Sequence, residues 1–77
     1  MFKVYEIEQI KKMVVGDELF VYCPYYTHSL DKYKIIEVNG VKILDDDSGF
    51  LDLTINDLIS WFENGYEIYQ EIKYYHN

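Results

Sequence analysis

The clearest pattern of apolar and polar positions lies in residues 54–64 and predicts an amphipathic helix. Its apolar side chains recur at the three- and four-residue intervals of one helix face; they are Ile55, Leu58, Ile59 and Phe62. Thr54 is a typical N-cap, and Asp57 three residues later forms a short variant of the capping box. Gly65 suits the left-handed position that follows many helices.

The first part of the chain carries a shorter helical pattern and one or two strands. A helix is predicted over residues 5–13 from the helical spacing of Ile7, Ile10 and Val14. Alternating apolar positions at the very start leave a strand over residues 2–5 open as well. Residues 18–23 are predicted as a strand that stops at Pro24, because proline cannot donate a backbone hydrogen bond to a sheet.

A β-hairpin is predicted from strands over residues 33–38 and 41–46, joined by Asn39-Gly40. Asn-Gly suits a two-residue type I′ turn, in which both residues have positive φ. The turn fixes the register as Val38 opposite Val41, Glu37 opposite Lys42, Ile36 opposite Ile43, Ile35 opposite Leu44 and Lys34 opposite Asp45. Opposite charges then face each other, and longer strands would place Lys32 opposite Asp47.

Two more strands complete the predicted fold. Residues 50–53 form a short strand after an Asp-Ser-Gly turn, and residues 66–75 form a last strand, with a helix as the alternative. The fold class is therefore α+β: a small antiparallel sheet of four or five strands, one amphipathic helix at 54–64 covering one face, and a short N-terminal helix. We expect one domain over residues 1–77, because a chain of this length supports a single modest core.

Composition indicates a globular protein of a reducing compartment. Apolar residues make up 49% of the chain and charged residues 27%, a balance that is not typical of disorder. No apolar run reaches the roughly 18 residues of a membrane span, and the first residues lack a signal-peptide pattern. Cys23 is the single cysteine, which rules out an internal disulfide. We therefore expect a cytoplasmic protein.

The net charge of −7 is unevenly distributed along the chain. Residues 1–42 hold six acids and six lysines, whereas residues 43–77 hold eight acids and Lys73 alone. A protein that binds nucleic acid directly needs the opposite sign, and an anionic membrane surface would repel this half. The acidic excess indicates a basic partner, or a role in solubility alone.

The predicted partner-binding residues are acids of the second half that have no lysine opposite them in the predicted hairpin, together with two nearby tyrosines. Asp45 and Asp47 are left out because the hairpin places lysines opposite them. The predicted set is Asp46, Asp52, Asp57, Glu63, Glu67, Glu71, Tyr69 and Tyr75. These side chains share one surface only if the outer edge of the sheet lies beside the helix. A solvated face without a partner is the alternative.

Patterns of metal or catalytic residues are weak in this sequence. The acidic run before Gly49 resembles a calcium loop, but an EF-hand register puts Leu44 where the first acidic ligand belongs. Cys23, His28 and His76 lack the paired spacing of zinc ligands. A Cys23–His28 pair has no third orienting group, and so short a chain offers little room for a cleft around paired carboxylates. We expect no metal, no cofactor and no enzymatic activity.

Nine tyrosines suggest a second kind of function. Tyrosine is enriched at binding hot spots because it brings a large contact area at low entropic cost. Tyr22, Tyr25 and Tyr26 cluster around a loop within residues 22–30. The alternative function is therefore a small protein–protein interaction module that uses this loop and an apolar groove, with the acidity serving solubility.

Two resemblances extend these expectations. Residues 15–21, Val-Gly-Asp-Glu-Leu-Phe-Val, are similar to the opening strand of many SH3-like small barrels, which implies a partly open barrel. Small size, acidity, one cysteine and a composition without Ala or Arg resemble the host-takeover proteins of phages that infect low-GC Gram-positive bacteria. That class includes DNA mimics that block the nucleoid protein HU, uracil-DNA glycosylase or CRISPR nucleases. The resemblance implies an inhibitor that occupies the basic nucleic-acid-binding surface of a nucleoid protein, nuclease or repair enzyme in the host cytoplasm.

Overall fold

Five strands and two helices make up the chain in the computed structural model, which describes residues 2–25 and 29–71. In chain order they are β1 (Phe2–Lys3), α1 (Ile7–Lys11), β2 (Glu18–Tyr22), β3 (Leu30–Val38), β4 (Val41–Asp45), α2 (Ile55–Glu63) and β5 (Glu67–Gln70). The predicted α+β class, with an antiparallel sheet of four or five strands and two helices, is confirmed.

The strands form one antiparallel sheet in the order β1-β5-β2-β3-β4. Its edge strands, β1 and β4, are not paired with each other in residues 2–25 and 29–71, so the sheet is open. Beyond β4, a single antiparallel bridge joins Ile43 to Thr54. The segment that leads into α2 is therefore attached to the β4 edge just before the helix begins.

Both helices pack on one side of the sheet. Because side chains alternate between the faces of a strand, one face supplies the core, which contains Val4, Ile10, Met13, Leu19, Val21, Ile35, Leu44, Leu58 and Ile68. We call the opposite side of the sheet the open face. Glu18, Phe20 and Tyr22 of β2 alternate with the buried positions, and so do Glu67 and Tyr69 of β5, so all five lie on the open face.

The predicted hairpin is confirmed in register and in turn geometry. All five predicted partner pairs from Val38–Val41 to Lys34–Asp45 are present, and both Asn39 and Gly40 have positive φ, at 52° and 80°. The predicted extension is wrong, because β4 ends at Asp45. Lys32 instead lies opposite Phe20 of β2 and forms an ion pair with Glu18 at 3.4 Å.

The predicted strand over residues 50–53 is also wrong. Asp47 and Gly49 both have positive φ, at 67° and 88°, and these left-handed residues turn the chain away from β4. It returns at Leu53, whose carbonyl accepts a hydrogen bond of 2.8 Å from the Leu44 amide. Residues 46–52 thus form a loop between two points of attachment to the sheet.

Several other element boundaries differ from the predictions. Helix α1 is shorter than residues 5–13, and it buries Met13 just after its end while Val14 is 56% exposed. The Lys42 ammonium group donates a 2.8 Å hydrogen bond to the Met13 carbonyl and ties this segment to β4. Strand β3 begins at Leu30 instead of residue 33. Residues 67–70 are a strand, and the rest of the predicted 66–75 strand beyond Glu71 lies outside the described residues.

Helix α2 begins and ends as predicted. Thr54 and Asp57 form a capping box, in which the Thr54 amide donates to the Asp57 carboxylate at 2.7 Å. Gly65 follows the helix with a φ of 89°. This left-handed conformation favours glycine, and the hydroxyl of Tyr25, whose side chain is largely exposed, lies beside the same residue.

Replacing Asp57 by alanine should lower the free energy of unfolding by about 1 kcal/mol, because the cap at the start of α2 is lost. Asp52→Ala is the matched control, since it removes the same charge from an exposed position outside the cap, and it should change stability by less than about 0.5 kcal/mol. Urea unfolding followed by circular dichroism measures both. Equal losses in the two variants would show that charge, and not capping, is responsible.

Candidate functional site

The described residues of the predicted binding set lie in three places. Asp46 and Asp52 lie on the loop between β4 and α2, Asp57 and Glu63 lie on α2, and Glu67, Tyr69 and Glu71 lie in or directly after β5. Tyr75 lies outside the described residues. Because α2 covers one side of the sheet and Glu67 and Tyr69 are on the open face, the condition for a single shared surface is not met.

The loop of residues 45–52, which we call the acidic loop, has a defined local structure. The Asp45 carboxylate accepts a hydrogen bond of 3.0 Å from the Asp47 amide, and the Asp46 carboxylate accepts one of 3.0 Å from the Ser48 amide. The Ser48 hydroxyl donates to Asp46 and accepts from the Phe50 amide at 3.3 Å. Such Asx turns hold the backbone in place without a sheet partner.

The hydrogen bonds to Asp46 also control its charge. The Ser48 hydroxyl, followed by the Ser48 amide, stabilises the ionised carboxylate and lowers the pKa of Asp46 below its ordinary value. Asp46 in turn acts on Tyr33, whose pKa is raised by burial first and then by the negative charges of Asp31 and Asp46. Asp46 is therefore a fixed negative charge at neutral pH.

A polar groove of about 320 Å³ adjoins the acidic loop. It is lined by Glu18, Lys32, Tyr33, Lys34, Asp45, Asp46 and Asp47. Among the described residues the ion pairs within 4 Å are Lys3–Glu67, Lys11–Glu8 and Lys32–Glu18. Lys34 lies opposite Asp45, as predicted, but the two side chains form no ion pair within 4 Å. The predicted Lys32–Asp47 pair is absent because β4 ends at Asp45. None of the four acids of the loop therefore forms a close ion pair with a lysine of the described residues.

The acidic loop also exposes two large apolar side chains. Phe50 is 73% exposed and Leu51 is 46% exposed. The predicted strand over residues 50–53 places both in the sheet, so the sequence does not identify them as surface residues. The Asp47-Ser48-Gly49 turn is visible in the sequence, but it does not show that the chain leaves the sheet after it.

The acids on α2 have different roles. Asp57 is half-buried and its carboxylate accepts from both the amide and, at 3.2 Å, the hydroxyl of Thr54. Its oxygens are thus already used by the helix cap. Glu63 is exposed at the last position of α2 and belongs to no ion pair among the described residues. Of the two acids on α2, only Glu63 has a carboxylate that is exposed and makes no ion pair among the described residues.

Glu67, which was expected to lack a counter-charge, is neutralised on the open face. Its carboxylate lies 3.3 Å from the Lys3 ammonium group and accepts a hydrogen bond of 2.6 Å from the Tyr69 hydroxyl. The hydroxyl, more than Lys3, lowers the pKa of Glu67, and the same bond raises the pKa of Tyr69. The sequence could not show this pairing because Lys3 and Glu67 are far apart along the chain. Glu71 follows β5, and its amide donates to the Glu18 carbonyl at 2.9 Å.

Outside the predicted binding set, the described residues offer few candidate metal ligands or nucleophiles. In residues 2–25 and 29–71, no group of three or more His, Cys, Asp or Glu side chains is placed to hold a metal ion. Cys23 lines a small cavity of about 130 Å³ with Val21, Asp31, Tyr33, Trp61 and Tyr66. His28, its candidate partner, lies outside the described residues. Within the described part of the chain, no helix is long and apolar enough to cross a membrane.

Comparison with known proteins identifies no relative: the chain matches no protein-family model, no curated protein and no solved structure.

Replacing Tyr69 by phenylalanine should raise the pKa of Glu67 toward its ordinary value, because the largest cause of the lowered pKa is removed. A lowered pKa in the folded state contributes stability above the unfolded pKa, and this contribution is lost as the pH falls through the folded pKa. Titration of the Glu67 carboxyl carbon by NMR measures the change. Tyr5→Phe serves as the control, and an unchanged Glu67 pKa in Tyr69→Phe would contradict the hydrogen bond.

Proposed function

We propose that this protein is an acidic inhibitor that binds the basic nucleic-acid-binding surface of another protein in place of DNA. The observation that supports the proposal is the unneutralised charge of the second half of the chain. All eight acids of residues 43–77 lie in the described residues, and Glu67 alone among them forms an ion pair within 4 Å with a described lysine. The acidic loop holds four of these eight carboxylates in eight consecutive residues.

The structure of the acidic loop favours binding over solubility alone. Asp45 and Asp46 each accept a hydrogen bond from the amide two residues ahead, so their carboxylates hold the loop in shape and also have a fixed position. A binding group that is ordered beforehand loses less conformational entropy when a complex forms. Fixed negative charges also steer a basic partner toward the loop before contact.

The partner class follows from the sign of the charge and from the resemblance to phage host-takeover proteins. Proteins that bind nucleic acid present lysine and arginine toward phosphates, and a spaced set of carboxylates complements the same surface. We therefore propose a nucleoid protein, nuclease or repair enzyme as the partner, and the cytoplasm of the host cell as the location. The role is binding, without catalysis and without a cofactor.

The proposal predicts that the purified protein displaces duplex DNA from at least one basic DNA-binding protein. HU, uracil-DNA glycosylase and a CRISPR nuclease, each loaded with fluorescent DNA, are suitable probes, and fluorescence anisotropy measures displacement. Binding of the inhibitor itself should weaken steeply with salt, because exposed charges are screened over about 8 Å at physiological ionic strength. Failure to displace DNA from all three proteins at low salt would contradict the proposal.

Two variants of equal net charge test whether binding depends on the acidic loop or on the total charge of the protein. Asp46→Asn, Asp47→Asn and Asp52→Asn together remove three of the four charges of the acidic loop, and Glu8→Gln, Asp31→Asn and Glu37→Gln together remove three charges at exposed positions of the first half. The first variant should slow association about tenfold or more at low salt, since charge mainly controls the encounter rate, and the second should change it far less. Equal slowing would show that only net charge matters.

The tyrosine-rich interaction module remains a second candidate, favoured by one observation. Tyr25 is 62% exposed and Leu30, across the loop, is 54% exposed, so both present apolar area to a partner. Tyr26 and His28 of that loop lie outside the described residues. If Tyr25→Ala abolishes binding while the neutralised acidic loop leaves the association rate unchanged at low and high salt, this module replaces the DNA-mimic proposal.

A further inference from the structure

We propose that Phe50 and Leu51 are apolar anchors of the acidic loop, and that they insert into an apolar cavity within the basic surface of the partner protein. This inference deepens the proposed function and rests on it for the class of partner. It adds the kind of surface that the partner must have: an apolar depression surrounded by lysine or arginine.

Phe50 and Leu51 are exposed on a loop that is attached to the sheet at both of its ends. On one side, Asp45 is the last residue of β4 and lies opposite Lys34 in the sheet. On the other, the Leu53 carbonyl accepts from the Leu44 amide, and Leu53 packs against the core. Leu51 and Phe50, just before Leu53, do not belong to the core and remain partly and largely exposed, respectively.

The hydrogen bonds of the loop fix where the anchors are presented. The Phe50 amide donates to the Ser48 hydroxyl, which itself donates to Asp46. Gly49 between them takes a φ of 88°, which other residues rarely adopt. The carboxylate that attracts a basic partner is therefore joined to the backbone of the apolar anchor by a short chain of hydrogen bonds, so charge and anchor reach the partner together.

The two kinds of side chain have different effects on a complex. Charges at the rim of an interface speed association, but their net contribution to affinity is variable because they must lose water. Buried aromatic and aliphatic anchors at the centre of an interface carry most of the energy that keeps partners together. The loop offers both, with Asp45, Asp46 and Asp47 on one side of the anchors and Asp52 on the other.

Charge complementarity selects the occupant. An anionic membrane surface would be repelled by the four carboxylates around the anchors, and a second copy of this chain carries the same net charge of −7. The carboxylates attract a basic protein surface, and an apolar cavity in that surface would bury Phe50 and Leu51. The proposed partner is therefore a basic protein with such a cavity.

The test compares binding kinetics of matched variants on the immobilised protein from which wild type displaces DNA. The anchor variant combines Phe50→Ser with Leu51→Ser. Its control combines Tyr5→Ser with Val15→Ser, at positions that are 74% and 51% exposed and lie outside the acidic loop. We expect the anchor variant to dissociate about tenfold faster or more, with little change in association, and the control to resemble wild type. Because all four positions are exposed, circular dichroism should show folded protein throughout.

The dissociation rate of the anchor variant tests the apolar anchors, and the association rate of the amide variant tests the charge-based function. If the anchor variant dissociates at the wild-type rate while the Asp46, Asp47 and Asp52 amide variant associates slowly, the anchors are refuted and the charge-based function stands. If the amide variant binds normally and the anchor variant does not, the apolar contact of Phe50 and Leu51 stands, but attraction by the carboxylates is refuted, and with it the DNA-mimic function and the basic surface that the inference names. Wild type that displaces DNA from none of the three probes overturns both. Self-association that sedimentation detects in wild type and not in the anchor variant would identify a second copy as the occupant and overturn the inference.

Discussion

One layer of apolar contact between two helices and a single face of the sheet determines the rest of this structure. Ile10 of α1, Leu58 of α2 and Leu19, Ile35, Leu44 and Ile68 of the sheet are fully buried within it. On the other side of the sheet Ile43 is buried near the β4 edge, whereas the side chains of β2 and β5 that face this way are partly exposed. Polar and aromatic side chains alternate with core positions along β2 and β5, and the ion pair between Lys3 and Glu67 forms on this face in partial contact with water.

Two attachments at the edge of the sheet complete the layer. Lys42 joins the end of α1 to β4, and Leu53 joins the segment before α2 to the same strand.

The acidic loop exists because β4 stops where it does. Strand pairing on that edge would have continued toward Lys32 if residues 46 and 47 had kept extended backbone. Asp45 and Asp46 instead use their side chains to bind the amides two residues ahead, and Asp47 takes a left-handed conformation that aspartate tolerates. These local bonds compete with the ladder and replace it. A consequence is that Phe50 and Leu51 belong to no strand, so Phe50 is largely exposed and Leu51 about half exposed.

Features that depend on neighbours along the chain could be predicted from the sequence, whereas those that depend on distant partners could not. Asn39-Gly40 specifies its own turn and therefore the whole register of β3 and β4, and Thr54 with Asp57 specifies the start of α2. Lys32 was assigned to Asp47 by extending that register, but its actual partner, Glu18, belongs to β2. Glu67 was assigned no partner, because nothing near it in the sequence reveals that β1 pairs with β5 and brings Lys3 to it. For the candidate site, the acids could be predicted from composition, but their separation onto a loop, a helix and the open face required the topology.

The distribution of counter-charges explains why a net charge of −7 produces a local acidic surface. Six of the seven lysines come from residues 1–42. Lys11 and Lys32 contact Glu8 and Glu18 of the same half, Lys42 binds a backbone carbonyl, and Lys3 reaches Glu67 across the sheet. Three of the seven lysines, Lys3, Lys32 and Lys42, thus join different elements of the fold. The carboxylates of residues 45–52 form no ion pair within 4 Å with a described lysine, and the loop that carries them is attached to β4 through Asp45 at one end and through Leu53 at the other. Their negative field therefore extends into the solvent over one screening length, ~8 Å at physiological ionic strength.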